Sequence, residues 1–418
     1  MTIRTVHAAR RPGSAPSGRA ARRALGVATA LLAGAASGQV LENQVGIPVG
    51  DATLYPSLRV GYEHDSNVGL RAEDEVDGDA VVVSPRLDYV AERRRLRLAL
   101  GYLGAFSASD DSALEYGDHR LSAAVAAEFD SRRRASAELA VARDHEELGF
   151  DLTRGLGDAF DEPLKYNTVG LGAQFVYGAV DARGNLVAGL DLETRSYTNL
   201  ASLTDGRDYT EIEPYGAFGY RLSSDTRAIA ELRFSSAAFD DAGEDRDEVS
   251  VLGGMDFTAT GKLRGGFRLG ASRASFAAEG VDDETALVAR ANVDWLPREY
   301  AVLSLALDRE FDNTTSTRVG QDQSILTVAR LGWNHRWSSR FVTDAFAQLY
   351  DVARACPDNA TATVSAGAEF GLAVRRWLQV GAGARQAMRS ADDCPDGGDG
   401  DGLDYDRTLY NVYVRATL

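Results

Sequence analysis

Long apolar runs are the first thing this chain lacks. Beyond residue 38 no stretch of eighteen apolar residues occurs, so no helix of that region is built to cross a bilayer. Cysteine is nearly absent: only Cys356 and Cys394 occur, neither with a metal-ligand neighbour at a recognisable spacing. A cysteine-based metal centre is excluded, and one disulfide is the most that can form. Methionine is scarce (3) while glycine is plentiful (42), which suits strands better than a helical core. Basic residues are too few for the acidic ones, 45 against 62. A surface of that sign repels nucleic acid.

What is present is alternation. From Val81 to Tyr89, residues 81, 83, 85, 87 and 89 are apolar and the intervening face accepts Ser84, Arg86 and Asp88. The triplet Arg93-Arg94-Arg95 interrupts the pattern. Leu96, Leu98, Leu100 and Tyr102 then resume it opposite Arg97, Ala99 and Gly101. Period two means one greasy and one polar face, so this is a hairpin of two strands. The unit recurs along the chain. Leu121, Ala123, Val125, Ala127 and Phe129 form one uncharged row; Val249, Val251, Gly253, Met255 and Phe257 another; Leu287, Ala289, Ala291, Val293 and Trp295 a third.

Nine long, mostly acidic connections separate these hairpins: 71–79, 107–118, 147–165, 199–208, 240–247, 277–283, 312–322, 352–360 and 389–406. Eight short ones alternate with them, at 92–95, 130–134, 179–185, 223–226, 259–262, 297–300, 338–340 and 373–376. Seventeen connections join eighteen strands of about ten residues. An even strand number with both ends on the short-turn side is the arrangement of an antiparallel transmembrane β-barrel, with short periplasmic turns and long acidic extracellular loops. Aromatics cluster beside the short turns, among them Tyr89, Phe129, Tyr177, Tyr220, Trp295, Trp337 and Trp377, as an interfacial girdle requires. A soluble β-sandwich, the alternative, would share its apolar face between two sheets.

Residues 1–38 stand apart. They carry six arginines, no acidic residue and an apolar run from Ala24 to Ala36, the pattern of a secretory signal peptide. Without them the chain has 39 basic and 62 acidic residues, a net of −23. Residues 39–52 read as a short periplasmic lead and 53–418 as the barrel.

The strand Tyr55-Pro56-Ser57-Leu58-Arg59-Val60-Gly61-Tyr62-Glu63-His64-Asp65-Ser66-Asn67-Val68 is proline-led and runs into an Asp-x-Asn element. Tyr116-Gly117-Asp118-His119, Arg143-Asp144-His145-Glu146 and Tyr177-Gly178-Ala179 with Arg183-Gly184 follow in order. Arg195-Ser196-Tyr197-Thr198-Asn199 and Tyr220-Arg221-Leu222-Ser223-Ser224-Asp225-Thr226 complete the series. With these elements the chain resembles, over about residues 51–418, the β-barrel porins encoded with exopolysaccharide biosynthesis operons. The resemblance implies an outer-membrane barrel associated with surface polysaccharide production or export. It brings no catalytic residues.

The inward-reading charges include Arg59, Arg86, Asp88, Arg97, Glu138, Asp191, Glu193, Arg195, Glu211, Glu213, Arg221, Glu231, Arg233, Arg330 and Asp344. Their signs nearly balance, which describes a hydrated lumen laced with ion pairs. The third long loop carries Phe150, Leu152, Leu156, Phe160 and Leu164, too many apolar side chains to stay in water. It is expected to fold into the lumen as a pore constriction, bringing Asp151, Arg154, Asp158, Asp161 and Glu162 with it.

Cys356 and Cys394 fall in adjacent long loops and are expected to pair as a disulfide. Asp396, Asp399, Asp401 and Asp404 lie among glycines and offer hard oxygen ligands for a weak calcium site, although a solvated acidic loop is the plainer reading. No other cofactor is implied. His64, His119 and His145 each have a carboxylate neighbour, the raw material of acid–base chemistry, but counting in twos does not aim the rings at one point.

The reading is therefore a porin-like barrel of a Gram-negative outer membrane, forming a hydrated channel, with membrane lipid and polysaccharide or its export machinery as partners. A non-conducting scaffold barrel with partner-binding loops and an enzyme at the rim are the alternatives.

Overall fold

The computed structural model describes residues 46–259, 261–278, 281–311, 324–354, 361–391 and 403–418. The segment read as a signal peptide, both cysteines, and Asp396, Asp399 and Asp401 lie outside them.

Nineteen strands occur among the described residues. The first seven are β1 (Ile47–Val49), β2 (Ala52–Asp65), β3 (Gly78–Arg93), β4 (Leu96–Ser109), β5 (Tyr116–Glu128), β6 (Arg133–Glu146) and β7 (Leu164–Tyr177). Next come β8 (Gly184–Tyr197), β9 (Tyr209–Arg221), β10 (Thr226–Phe239), β11 (Arg246–Ala259), β12 (Leu263–Phe276) and β13 (Glu284–Arg298). The last six are β14 (Ala301–Phe311), β15 (Ser324–Arg336), β16 (Phe341–Arg354), β17 (Thr361–Arg375), β18 (Leu378–Ala391) and β19 (Tyr405–Thr417). Each strand from β2 to β19 pairs antiparallel with the next, and β19 pairs with β2 from Leu409↔Asp65 to Thr417↔Ser57. That last ladder closes an eighteen-stranded barrel, and β1 folds back on the start of β2 through Gly50 at φ +62°.

Closure makes proline inside a strand hard to place. A closed sheet has no edge on which to put a missing N–H. At Pro85 the β3–β4 pairing skips from Val83↔Phe106 to Arg86↔Leu103. At Pro214 the β9–β10 pairing skips from Arg233↔Tyr215 to Ser236↔Ile212. Each proline removes a rung and the ladder resumes beyond it.

The usual order of burial is inverted. Val251 is 61 % exposed and Leu287 58 %, while Arg233 and Glu213 are each 1 % exposed. A soluble sheet would bury the first pair. Here the apolar rows face outward and the charges inward, so the outer surface is a lipid face. The barrel strands run from 11 residues (β14) to 16 (β3), longer than the ten expected. Ten tilted residues cross the hydrocarbon, and the surplus lengthens the wall beyond it.

Candidate channel and its mouth

Interior side chains identify themselves by reaching across strands. Arg59 on β2 meets Glu369 on β17 at 3.2 Å, with two strands between. Arg246 on β11 lies 5.8 Å from the Phe311 ring on β14. Only groups inside a closed curve can do this. On β8 to β10 the acids Asp191, Glu193, Glu211, Glu213 and Glu231 surround Arg195 and Arg233, all at least nine-tenths buried. Arg233 bonds both Glu213 and Glu231, and Tyr209 donates to Glu193 at 2.6 Å. Glu138 stands beside this group on β6, where a Cβ on Gly172 would touch it.

The other side of the ring is richer in arginine. Arg330 on β15 binds Gln348 at 3.0 Å and lies 4.4 Å from the Phe346 ring, which Arg385 of β18 approaches to 6.0 Å. Arg415 and Arg59 flank Tyr413 at 5.4 and 3.9 Å. Glu369 and Asp344 stand among these guanidinium groups, as Arg195 and Arg233 stand among the acids opposite, so both walls carry paired charges of both signs. Arg86 and Asp88 pair at 2.6 Å on β3. Arg97 pairs with Glu92 at 3.4 Å, and Arg221 bonds the carbonyls of Asp181 and Ser223. These last two residues sit at the short-turn end, away from the interior cluster. Small inward side chains on β5, namely Ser122, Ala124 and Ala126, are exposed to the lumen and leave open space along that wall.

The third long loop, residues 147–163, crosses the mouth. Asp151 accepts from Tyr350 Oη on β16 at 2.7 Å, and the Phe150 and Tyr350 rings are 5.2 Å apart. Arg154 donates to Thr361 Oγ1 on β17 at 2.7 Å. Arg389 on β18 donates to the Gly149 carbonyl at 2.8 Å, and Arg407 on β19 to Glu147. In the strand order β16 lies half-way round the ring from β7. A round eighteen-stranded barrel has a backbone radius of roughly 18 Å. Asp151 stands only five residues past the end of β6, a reach of at most about 18 Å. Such a span closes only where the section is drawn in, so the mouth is oval.

Leu148, Leu152 and Thr153 are buried by this crossing, while Phe150 packs on Leu70, Ala387 and Tyr405. Of the five charged loop residues, Asp151 and Arg154 are buried at the far wall; Asp158 and Asp161 are exposed and Glu162 pairs with Lys165 at 2.7 Å. Hydrogen bonds from Lys165 and Asn199 hold the Glu162 carboxyl below its usual range. Burial pushes the Glu147 carboxyl up, but Arg407 and Arg385 outweigh it and hold it below that range.

Two glycine contacts let the loops touch through their backbones. A Cβ on Gly157 would stand 1.7 Å from the Gly69 carbonyl oxygen, and one on Gly149, at φ +78°, 2.1 Å from the same atom. The Asp-x-Asn element acts here. Asp65 takes Arg407 through two nitrogens and accepts from Asn67 N at 3.1 Å. Asn67, fully buried, binds Arg71 through its N–H and carbonyl and reaches the Asp406 carbonyl at 2.9 Å. The motif thus pins the first loop to the last strand, at the seam where the barrel closes. Tyr350, Thr361, Arg389 and Arg407 were not singled out from the sequence. Their inward register was readable, but nothing in a local pattern joins a loop to the opposite wall.

The three histidines are not brought together. His64, on the outer face, meets Asp79 at 2.8 Å; His119, also outward, meets Tyr102 at 3.1 Å; His145 is buried against Asp118. Among the described residues no group of three or more His, Cys, Asp or Glu is placed to hold a metal ion. Asp404 accepts from the Ala391 N–H at 2.7 Å.

A family model described as "Putative beta-barrel porin 2" matches residues 42–416. Among solved structures the chain is similar to OpdO of Pseudomonas aeruginosa, with 13% identity over 88% of this chain and 98% of that one, at a TM-score of 0.43. It is similar to OccK2 (OpdF) of the same organism at 14% identity, 88% and 98% coverage and a TM-score of 0.44. The FrpB iron transporter of Neisseria meningitidis, F5-1 variant, is similar at 11% identity, 86% and 66% coverage and a TM-score of 0.44. No curated protein matches the chain.

Proposed function

The chain belongs to the family so described, the beta-barrel porin 2 family, and from that membership we propose that this porin-like outer-membrane barrel forms a hydrated channel whose bore is set by its third long loop. The observation that carries the reading is the crossing itself, tied to the far wall through Tyr350, Thr361, Arg389 and Arg407. A loop held across a lumen narrows it without filling it, and the small residues on β5 leave a path beside it. The buried Asp151 and Arg154 supply opposite charges at the narrowing, and the exposed Asp158 and Asp161, with the half-buried Glu162 paired to Lys165, make its outer approach weakly acidic. Polar and weakly cationic solutes are the cargo this suits, with a preference that fades as salt screens the charges.

The short turns face the periplasm of a Gram-negative cell and the acidic loops face outward, where a Cys356–Cys394 disulfide would join two of them. Asp396, Asp399, Asp401 and Asp404 belong to the same outer surface as a solvated acidic loop, with weak calcium binding the second reading. The resemblance to barrels encoded with exopolysaccharide operons supports a role in polysaccharide export or surface display. Neighbouring genes for glycosyltransferases and an export apparatus would strengthen that part, and their absence would count against it.

Single-channel recording in a planar bilayer tests the central claim. Deleting Gly149 to Glu162 should leave insertion intact and raise conductance about twofold or more, since a layer of extended chain with its side chains is about 10 Å thick and obstructs a large part of such a lumen. A deleted barrel that inserts and conducts no more than wild type removes the loop as the constriction. A second reading, a non-conducting scaffold barrel, is favoured by the number of ties that close the mouth; it predicts no steps in the wild-type recording.

A further inference from the structure

The outer face of the barrel changes character at one height along β5 to β8. His119, Arg143, Asn167 and Ser196 stand directly opposite one another in the ladders of these four neighbouring strands, and all four are exposed. Directly opposed side chains lie about 5 Å apart, so the row is one continuous polar band. It lies just above Leu121, Val141 and Val169, which are exposed on the same face. Its depth follows from counting down to the aromatic girdle. His119 is ten residues from Phe129, and Asn167 ten from Tyr177. Ten residues of a strand tilted by about 40° rise roughly 25 Å, the height of the apolar band of such barrels. The row therefore lies where the hydrocarbon ends and the headgroups of the long-loop leaflet begin.

No acid stands in this row. The side chains of Arg143, Asn167 and Ser196 make no hydrogen bond or ion pair among the described residues. His119 is held from the other side by Tyr102 at 3.1 Å and by the edge of the Phe106 ring at 5.1 Å. Lys165, the next outward residue on β7, is held by Glu162 at 2.7 Å, so the free positive charge is that of Arg143. Outward charges near this height on other strands are matched. Asp79 on β3 accepts from Tyr62 and meets His64, and Arg273 on β12 pairs with Asp283 at 2.8 Å. An unmatched guanidinium at the edge of the hydrocarbon, with neutral donors beside it and an apolar wall beneath, fits an anion that carries alkyl chains. We propose that the row binds the phosphate of an outer-leaflet lipid, whose source in a Gram-negative outer membrane is lipid A, the phosphorylated anchor of lipopolysaccharide. The Arg143 fork takes two phosphate oxygens in parallel, and the Asn167 amide donates to a third. Ser196, one strand further, meets the sugar that carries the phosphate, and the acyl chains lie on Leu121, Val141 and Val169. The site goes beyond the channel reading and depends only on the long loops facing outward, not on conduction.

Native mass spectrometry of the whole barrel, delipidated in an uncharged detergent, reads occupancy directly as lipid A, dephosphorylated lipid A or phosphatidylglycerol is titrated in. Lipid A should bind about tenfold tighter than its dephosphorylated form, the ratio that one charge-assisted hydrogen bond supplies. Arg143→Gln should remove that difference, and Arg143→Lys should restore part of it. Arg273→Gln, which alters an outward arginine already paired with Asp283, should leave it unchanged. Inorganic phosphate in excess should not displace lipid A, because it lacks the chains that rest on the apolar wall. Equal binding of the two forms of lipid A, or an Arg143→Gln barrel that keeps the wild-type preference, would overturn the proposal. So would an equal loss in Arg273→Gln, phosphatidylglycerol bound as tightly as lipid A, or displacement by free phosphate. Because no current is measured, a barrel that fails to conduct can still bind, and a conducting one can still fail here.

Discussion

Replacing Arg407 with methionine asks whether the ring of strands is locked where its first and last members meet. Arg407 is 9 % exposed, and all three guanidinium nitrogens are engaged: Nε with Asp65 at 2.8 Å, one Nη with the other Asp65 oxygen, the second Nη with Glu147. Methionine keeps most of the stem and loses every bond. Asp65, 4 % exposed, would keep only the Asn67 backbone N–H. Breaking a desolvated ion pair from one side costs about 3–5 kcal/mol, because the partner's charge stays behind. The Glu147 side chain is 27 % exposed, so its share is screened and the lower end, about 3 kcal/mol, is expected. Asp65→Asn keeps an acceptor for Asn67, and the double variant should recover about 2 kcal/mol of the summed single losses. Reversible urea unfolding from lipid vesicles, followed by the fluorescence of the four tryptophans, gives all four corners of this cycle. An Arg407→Met barrel within about 0.5 kcal/mol of wild type, or strictly additive variants, would show that the backbone ladder alone holds the seam.

Other outcomes follow from the same mouth. Gly157→Ala drives a methyl into the Gly69 carbonyl, so amide exchange in residues 147–163 should accelerate while the β2 to β19 ladders stay protected; unchanged exchange would mean the loops do not touch. The Glu147 carboxyl is held below its unfolded value, near 4.3, so its tie to Arg407 contributes fully above that pH and is lost as pH falls through the lower folded value. Loop exchange should therefore rise only below about pH 4, and a change between pH 7 and 5 would contradict the assignment. Non-reduced peptides of protein taken from the outer membrane should contain Cys356 joined to Cys394, and two freely alkylated thiols would rule the bridge out. Tyr350→Phe removes the 2.7 Å bond to buried Asp151 and should add brief larger-conductance openings, without which that tie does not hold the loop.

The barrel was legible because its evidence is local. An inward or outward side chain follows from period two, and the turns at Arg94-Arg95 and Ser223 to Asp225 announce themselves by charge and by small polar residues. Eighteen strands could be counted for that reason, and Leu121 or Val251 assigned to lipid without knowing any neighbour. The inward burial of the third loop was also signalled, since Phe150 and Leu152 could not remain in water. Where the loop lands was not. Tyr350 lies 199 residues from Asp151 in sequence and Arg407 lies 342 from Asp65, distances over which composition carries no information. The pairing of lumen charges was hidden for the same reason: balance is a sum over residues, but a pair such as Arg59 with Glu369 depends on which strand each occupies after closure. Counting in twos puts all three histidines on outward rows, His64 with Val60 and Tyr62, His119 with Leu121 and His145 with Leu139 and Val141; His64 and His119 stay there, whereas His145, at the end of β6, is buried against Asp118. Side-chain alternation is decided by the two bonds on either side of a residue, and so is written in the sequence; the meeting of loop and far wall is decided by the closing of the ring.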